Sequence, residues 1–273
     1  MFRLTREVRF AINDAGGAED DPQLSRPPSN SYGGYPSLVS YGRFYSLAVT
    51  LAGELNPATG YLRNIKDIDD AIRRHVIPAI RADALALNEP RVRALTPFEQ
   101  PVVALGLLQS VLPQSIVDGV RLSLSPFLSI ASLASEHPMV RLSQKFEFSA
   151  SHRLHSAQMS DEENRKCFGK CNNPNGHGHN YEVQVTLAGQ PDEKGLLVDV
   201  PAFERVVAQT VIEKFDHKNL NVEVGEFREL MPSVENIAMV IYRLLKPKFS
   251  EQRAQLAAVT VWETPKTWCE YSE

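Results

Sequence analysis

The stretch Cys171-Asn172-Asn173-Pro174-Asn175-Gly176-His177-Gly178-His179 places a thiol six positions ahead of two histidines that alternate with glycine. Side chains on a strand point to opposite faces in turn, so His177 and His179 project from one side and can share one metal ion. Upstream, Val140, Leu142, Phe146, Phe148 and Ala150 alternate with polar residues, and the same parity arrives at His152. If the two strands pair, three imidazoles converge, the ligand count of a catalytic zinc site with one position open. Cys171 then stands beside the metal as a nucleophile or base, and a nearby cation raises its thiolate fraction. The spacing from Cys171 to His177, with no paired cysteine, argues against a closed structural site.

Two further places carry chemistry. Asp216-His217 follows directly on an apolar helical stripe ending at Phe215. A carboxylate that fixes the tautomer of a neighbouring imidazole makes a proton relay; a cationic histidine at a helix C-terminus is the plainer reading. Glu263 closes a β-branched and aromatic strand where an apolar residue is expected. A half-buried carboxylate needs donors, which the guanidine-like edge of a ligand ring or an internal Arg or Lys would supply.

A chain of 273 residues with 43% hydrophobic content suffices for one large or two ordinary domains. The net charge of −4 gives no global attraction to nucleic acid or anionic membrane. An anionic substrate must be held locally, and Arg153, Arg165, Lys166, Lys170 and Lys218 lie near the histidines; a solvated basic rim is the alternative. Three cysteines, Cys167, Cys171 and Cys269, form no disulfide framework. With no signal-peptide core and no run of membrane-spanning length, a soluble cytoplasmic protein is expected.

The elements that position these residues are written twice. Val49-Thr50-Leu51-Ala52-Gly53 recurs as Val185-Thr186-Leu187-Ala188-Gly189, and Arg3-Leu4-Thr5 is echoed by Arg141-Leu142-Ser143. Ile68, Ala71, Ile72, Val76 and Ile80 keep the spacing of Phe203, Val206, Val207, Val211 and Phe215, one apolar helical stripe in each half. Each half reads as strand, long loop, strand, short turn, strand, helix, loop, second helix and final strand. Pro78 is expected to kink the first helix. The fold class is therefore α+β, with two tandem units, 1–135 and 139–273, each a four-stranded antiparallel sheet with two helices on one face. Unpaired sheet edges predict a homo-oligomer, with sheets joining into a β-barrel. Aligned on the repeat, His177 and His179 fall on Tyr41 and Arg43, Cys171 on Tyr35, His152 on Asp14, Asp216 and His217 on Arg81 and Ala82, and Glu263 on Leu124. The first unit thus lacks metal ligands.

Phe148-Ser149-Ala150-Ser151-His152-Arg153-Leu154, the run Phe168 to Tyr181, Asp216 to Leu220, Glu235-Asn236 and Glu263-Thr264 together closely resemble the 6-pyruvoyl-tetrahydropterin synthase family over residues 139–273. The resemblance implies the T-fold for each unit and a zinc-dependent lyase that eliminates triphosphate from 7,8-dihydroneopterin triphosphate. It implies Zn²⁺ on His152, His177 and His179, proton transfer by Cys171, a relay from Asp216 and His217, and pterin recognition by Glu263 with Ser233 and Glu235. In the family these groups meet at subunit interfaces. The related 6-carboxy-tetrahydropterin synthase of the deazapurine pathway remains an alternative, although the interval from Cys171 to His177 favours the pyruvoyl type. A non-catalytic pterin-binding or scaffold protein is the other.

Overall fold

The structure is a computed structural model and describes residues 1–13, 30, 32–38, 41–86, 94–112, 116–250 and 252–273. It divides into two compact units, Met1–Leu142 with Gln190–Leu197, and Ser143–Gly189 with Val198–Glu273.

The first unit contains β1 (Phe2–Asn13), β2 (Gly42–Gly53), α1 (Ile65–Ala71), a π-helical turn (Ile72–Val76), α2 (Ile77–Ala86), α3 (Gln100–Val111), β3 (Val117–Ser123) and β4 (Leu128–Leu133). Each strand pairs antiparallel with the next. The helical stripe Ile68, Ala71, Ile72, Val76 and Ile80 is buried against the sheet together with Ala104, Leu105 and Leu108 of α3.

The second unit holds β5 (Val140–His152), α4 (Asp161–Phe168), β6 (His177–Gly189), α5 (Val200–Val207), a π-helical turn (Ala208–Ile212), α6 (Glu213–Phe215), β7 (Lys218–Asn219), α7 (Leu220–Glu223), α8 (Val234–Phe249), β8 (Gln255–Thr264) and β9 (Thr267–Tyr271). Its sheet runs β5-β6-β8-β9, and the two residues of β7 add in parallel to the end of β5. Phe203, Val207, Val211 and Phe215 of the expected stripe are buried, with Ile237, Ile241 and Leu245 of α8 beside them.

The same small devices recur in both units. A bulge interrupts β2 at Thr50/Leu51 and β6 at Thr186/Leu187. The Thr5 and Thr50 hydroxyls meet at 2.9 Å, as do those of Ser143 and Thr186. Phe10 stacks on Tyr45 at 5.4 Å between centroids, and Phe148 on Tyr181 at 4.9 Å.

One expectation is corrected. No strand stands between the second strand and the first helix of either unit. Asp192 Oδ1 accepts the N–H groups of Lys194 and Leu196, and Asp199 then caps α5, so turn chemistry and a helix cap occupy that interval. The fourth strand instead follows the last one, as β4 and β9. The helix carrying Pro78 is interrupted by the π-turn Ile72–Val76, which contains Arg74, the residue whose carbonyl the proline cannot bond; the counterpart turn at Ala208–Ile212 contains no proline. Asp14, aligned with His152, lies outside the described residues.

Candidate metal and active site

The site grows from the ends of β5 and β6. Phe148, Ala150 and His152 share a face on β5, and His177, His179 and Tyr181 share one on β6; the Phe148–Tyr181 stack fixes the two strands side by side beneath the histidines. Gly176 makes the entry to β6 possible. Its φ of +73° suits glycine, and a Cβ there would lie 2.9 Å from the His152 carbonyl oxygen. The ligand nitrogens of His152, His177 and His179 fall within 4.8 Å of one another.

His152 is fully buried, and its Nδ1 donates to the Pro232 carbonyl at 2.7 Å, which leaves a lone pair on Nε2 of the neutral ring. That Nε2 faces His177 Nε2 at 3.1 Å and Glu263 Oε1 at 3.3 Å, while His179 Nε2 is 3.4 Å from the same carboxylate oxygen. Burial pushes the pKa of His152 and of His179 down, against the opposing pull of Glu263, and so favours neutral rings. A ring proton on one imidazole, or a metal ion among them, makes this approach of lone pairs and a carboxylate oxygen favourable. His179 Nε2 and His177 Nδ1 are buried without a hydrogen-bond partner. A three-imidazole donor set of this kind fits a borderline transition ion such as zinc.

Beside the cluster, Cys171 and His177 line one cleft of about 640 Å³ together with Arg165 and Lys170. Cys171 is partly exposed, and its carbonyl accepts the Leu154 N–H at 2.9 Å, tying its loop to the end of β5. Tyr181 is fully buried, and its hydroxyl stands 3.4 Å from His152 Nδ1. Burial, then Glu263, then Cys171 push its pKa far above the usual phenol. Tyr181 was legible in principle from its parity with the histidine pair; the Pro232 carbonyl carries no side-chain signal at all.

Asp216 and His217 form the expected pair, Oδ2 to Nδ1 at 2.8 Å. Both also clamp the Ser149 peptide: Asp216 Oδ1 accepts the Ser149 N–H, and the His217 N–H donates to the Ser149 carbonyl. These bonds hold His217 at φ +57°, a strained backbone for a residue with a Cβ. The Ser149 N–H, and next the bond to His217, hold the Asp216 carboxyl below its ordinary value. His217 lines an open groove with Ser149, Ser151, Asn180 and Lys218, a groove that does not include Cys171. Within one chain, therefore, His217 and the thiol border different cavities.

Glu263 stands against the imidazoles, with its side chain 20% exposed. Ser233 is the N-cap of α8, its hydroxyl accepting from Asn236 N, and Glu235 is exposed in the first turn of that helix. Cys269 is apart from the site, with its pKa raised by burial and by Glu235 and Glu270.

A pair of adjacent strands that presents three convergent imidazoles beside a partly exposed thiol has the donor set of a metal site, and comparison with known proteins gives the family of the chain. A family model described as 6-pyruvoyl tetrahydropterin synthase matches residues 141–273. The 6-pyruvoyl tetrahydrobiopterin synthase of Homo sapiens is 45% identical over 103 residues, 37% of this chain and 71% of that protein. Its namesake in Drosophila melanogaster is 37% identical over 138 residues, 50% of this chain and 82% of the fly protein. Among solved structures, 6-pyruvoyl tetrahydropterin synthase of Caenorhabditis elegans is 39% identical, covers 50% of this chain and 96% of its own, and has a TM-score of 0.47. The chain belongs to the 6-pyruvoyl tetrahydropterin synthase family of lyases, by way of its second half.

Proposed function

We propose that the second unit is a zinc-dependent lyase that converts 7,8-dihydroneopterin triphosphate to 6-pyruvoyl-tetrahydropterin with elimination of triphosphate. The observation that carries this reading is the convergence of His152, His177 and His179 beside a cleft that also holds Cys171. Zinc on the three imidazoles supplies a Lewis acid for the side-chain oxygens of the substrate, which acidifies the adjoining C–H bonds.

The chain's own groups do the rest. The Pro232 carbonyl fixes the His152 tautomer, so that Nε2 remains a ligand. Cys171, as thiolate, takes and returns the proton in a cleft that Arg165 and Lys170 also line. Glu263 receives a donor edge of the pterin on its exposed side, and Glu235 and Ser233 border the substrate near the start of α8. The Asp216–His217 pair acts as the relay, and because His217 borders a different cavity the pair serves a thiol of a neighbouring chain. Free edges on β1 and β9 support such an assembly, in which sheets of several chains close a barrel. The first unit is a duplicated copy that kept its packing and lost its ligands, as the shared bulges, hydroxyl pairs and π-turns support.

The test is incubation of zinc-loaded protein with dihydroneopterin triphosphate, with triphosphate release followed and the product weighed by mass spectrometry. Release with a pyruvoyl product is expected; a carboxyl product would move the chain to the related carboxy-synthase activity. Retained pterin binding without release would make it a scaffold.

A further inference from the structure

The thiol and the first metal ligand come from different segments of chain. His152 ends β5, whereas Cys171 sits in the 3₁₀ turn Gly169–Asn172 that follows α4. Strand pairing places the imidazoles, but so short a turn has no ladder to hold it in place. What holds it is the residue next to each functional group. Arg153 follows His152, Asn172 follows Cys171, and the guanidinium donates through Nε to the Asn172 carbonyl and through Nη2 to Asn172 Oδ1, both at 3.2 Å. His155 Nδ1 donates to the same Oδ1 at 3.0 Å, and the Leu154 N–H donates to the Cys171 carbonyl at 2.9 Å. The segment that leaves the metal ligand thus grips both residues at the thiol.

The grip is itself anchored. Asn221 of α7 accepts from Arg153 N at 2.7 Å and donates to Arg153 O at 3.0 Å, which fixes the arginine backbone. Asn172 is buried, so releasing its Oδ1 without a replacement donor carries a desolvation cost. Two acceptors on one residue call for two donors at a fixed spacing, which one edge of a guanidinium provides and an ammonium does not. Both acceptors are neutral, so the link is one of shape more than of charge pairing, and added salt should leave it intact.

We propose that Arg153 and Asn172 are positioning residues, a brace that sets Cys171 against the three imidazoles. The proposal rests on the reading of Cys171 as the proton-transfer group. A base acts only within hydrogen-bond reach of its proton, and a misplacement of about 1 Å costs about a hundredfold in rate.

The experiment compares full-length wild type with Arg153→Gln, Arg153→Lys, Asn172→Ala, Asn172→Asp and the double variant Arg153→Gln/Asn172→Ala. Zinc content, kcat and KM with dihydroneopterin triphosphate at two salt concentrations, and the rate of Cys171 alkylation by iodoacetamide, followed by peptide mass spectrometry, are read for each. With zinc content unchanged, kcat should fall about 10-fold to 100-fold in Arg153→Gln, Arg153→Lys and Asn172→Ala, equally at both salt concentrations, while KM stays within about threefold. The double variant should lie within about threefold of the lower single one, since each change breaks the same link. Asn172→Asp keeps the acceptor oxygen and should stay within about threefold of wild-type kcat. Alkylation of Cys171 should quicken about threefold or more, alike in Arg153→Gln and Asn172→Ala, as the turn is released from β5.

Four results overturn the brace: kcat near wild type in both of those variants, a defect confined to KM and sensitive to salt, loss of zinc along with turnover, or multiplied losses in the double variant. Should Arg153→Gln fail to fold, the contrast between Asn172→Ala and Asn172→Asp decides, and equal kcat in the two overturns the brace. Absence of turnover in wild type would overturn the lyase reading alone. The alkylation rates would then decide the brace, with rates equal to wild type overturning it.

Discussion

In the first unit Phe10 stacks on Tyr45, and in the second Phe148 stacks on Tyr181 at nearly the same separation and tilt. Two residues before the tyrosine the units part. His179 turns inward toward the buried His152, whereas Arg43 is exposed, and two residues earlier His177 is matched by Tyr41, 89% exposed. The stack, the bulge and the π-turn lie where sheet and helices bury one another, so packing alone selects for them. The ligands lie at strand ends, where only chemistry selects. The comparison teaches that the two units share their packing devices, whereas among the described residues the convergent histidines belong to the second alone.

The largest effect should come from the ligands. His179→Ala is expected to abolish stoichiometric metal binding and turnover, read by metal analysis and triphosphate release, while Arg43→Ala leaves both unchanged. Next, Cys171→Ala should lower kcat by about 10²–10⁴-fold, the usual worth of a positioned acid–base group, with metal content retained. Turnover surviving that change would remove the thiol from the mechanism.

The stacks sharpen the comparison further. Phe10→Ala and Phe148→Ala should each cost about 3–5 kcal/mol in denaturant unfolding, since both rings are buried. Only Phe148→Ala should also lower turnover at temperatures where the protein stays folded, because Tyr181 then loses its support beside His152. The hydroxyl pairs come lower: Thr50→Val and Thr186→Val should each cost about 0.2–1 kcal/mol, the scale of a cross-strand pair. Unequal costs in the two units would break the equivalence drawn between them.

The smallest effect is the pH dependence that Asp216 gives the second unit. Asp216 has a folded pKa below its ordinary 3.8. Its stabilisation is therefore complete above that value and lost as pH falls through the lower, folded one. Acid unfolding of wild type below about pH 4 should accordingly be steeper than that of Asp216→Asn, as circular dichroism would record. At the aligned position the first unit carries Arg81.

Much of this was readable from residue order. The period-two run through Phe148 and Ala150 to His152, and the parity of His177 with His179, required one shared face, and the structure places the three ligand nitrogens together. The apolar stripes predicted helices that the core then buries. Turns were less legible. The expected extra strand was lost because Asp192 and Asp199 bind nearby N–H groups, local bonds that an apolar pattern does not register. Glu263 signalled its oddity in the sequence, but not that its partners would be imidazoles.

What the sequence determined by itself was identity and periodicity: which side chains can ligate, and on which face of which element each must lie, since backbone geometry fixes those faces locally. Only the tertiary structure decided which faces meet. It brought the Pro232 carbonyl to His152 across 80 positions of chain, fastened Arg153 to Asn172 and Asn221, and set His217 on a cavity apart from Cys171. Such contacts depend on the packing of distant segments, and no local rule of spacing specifies them.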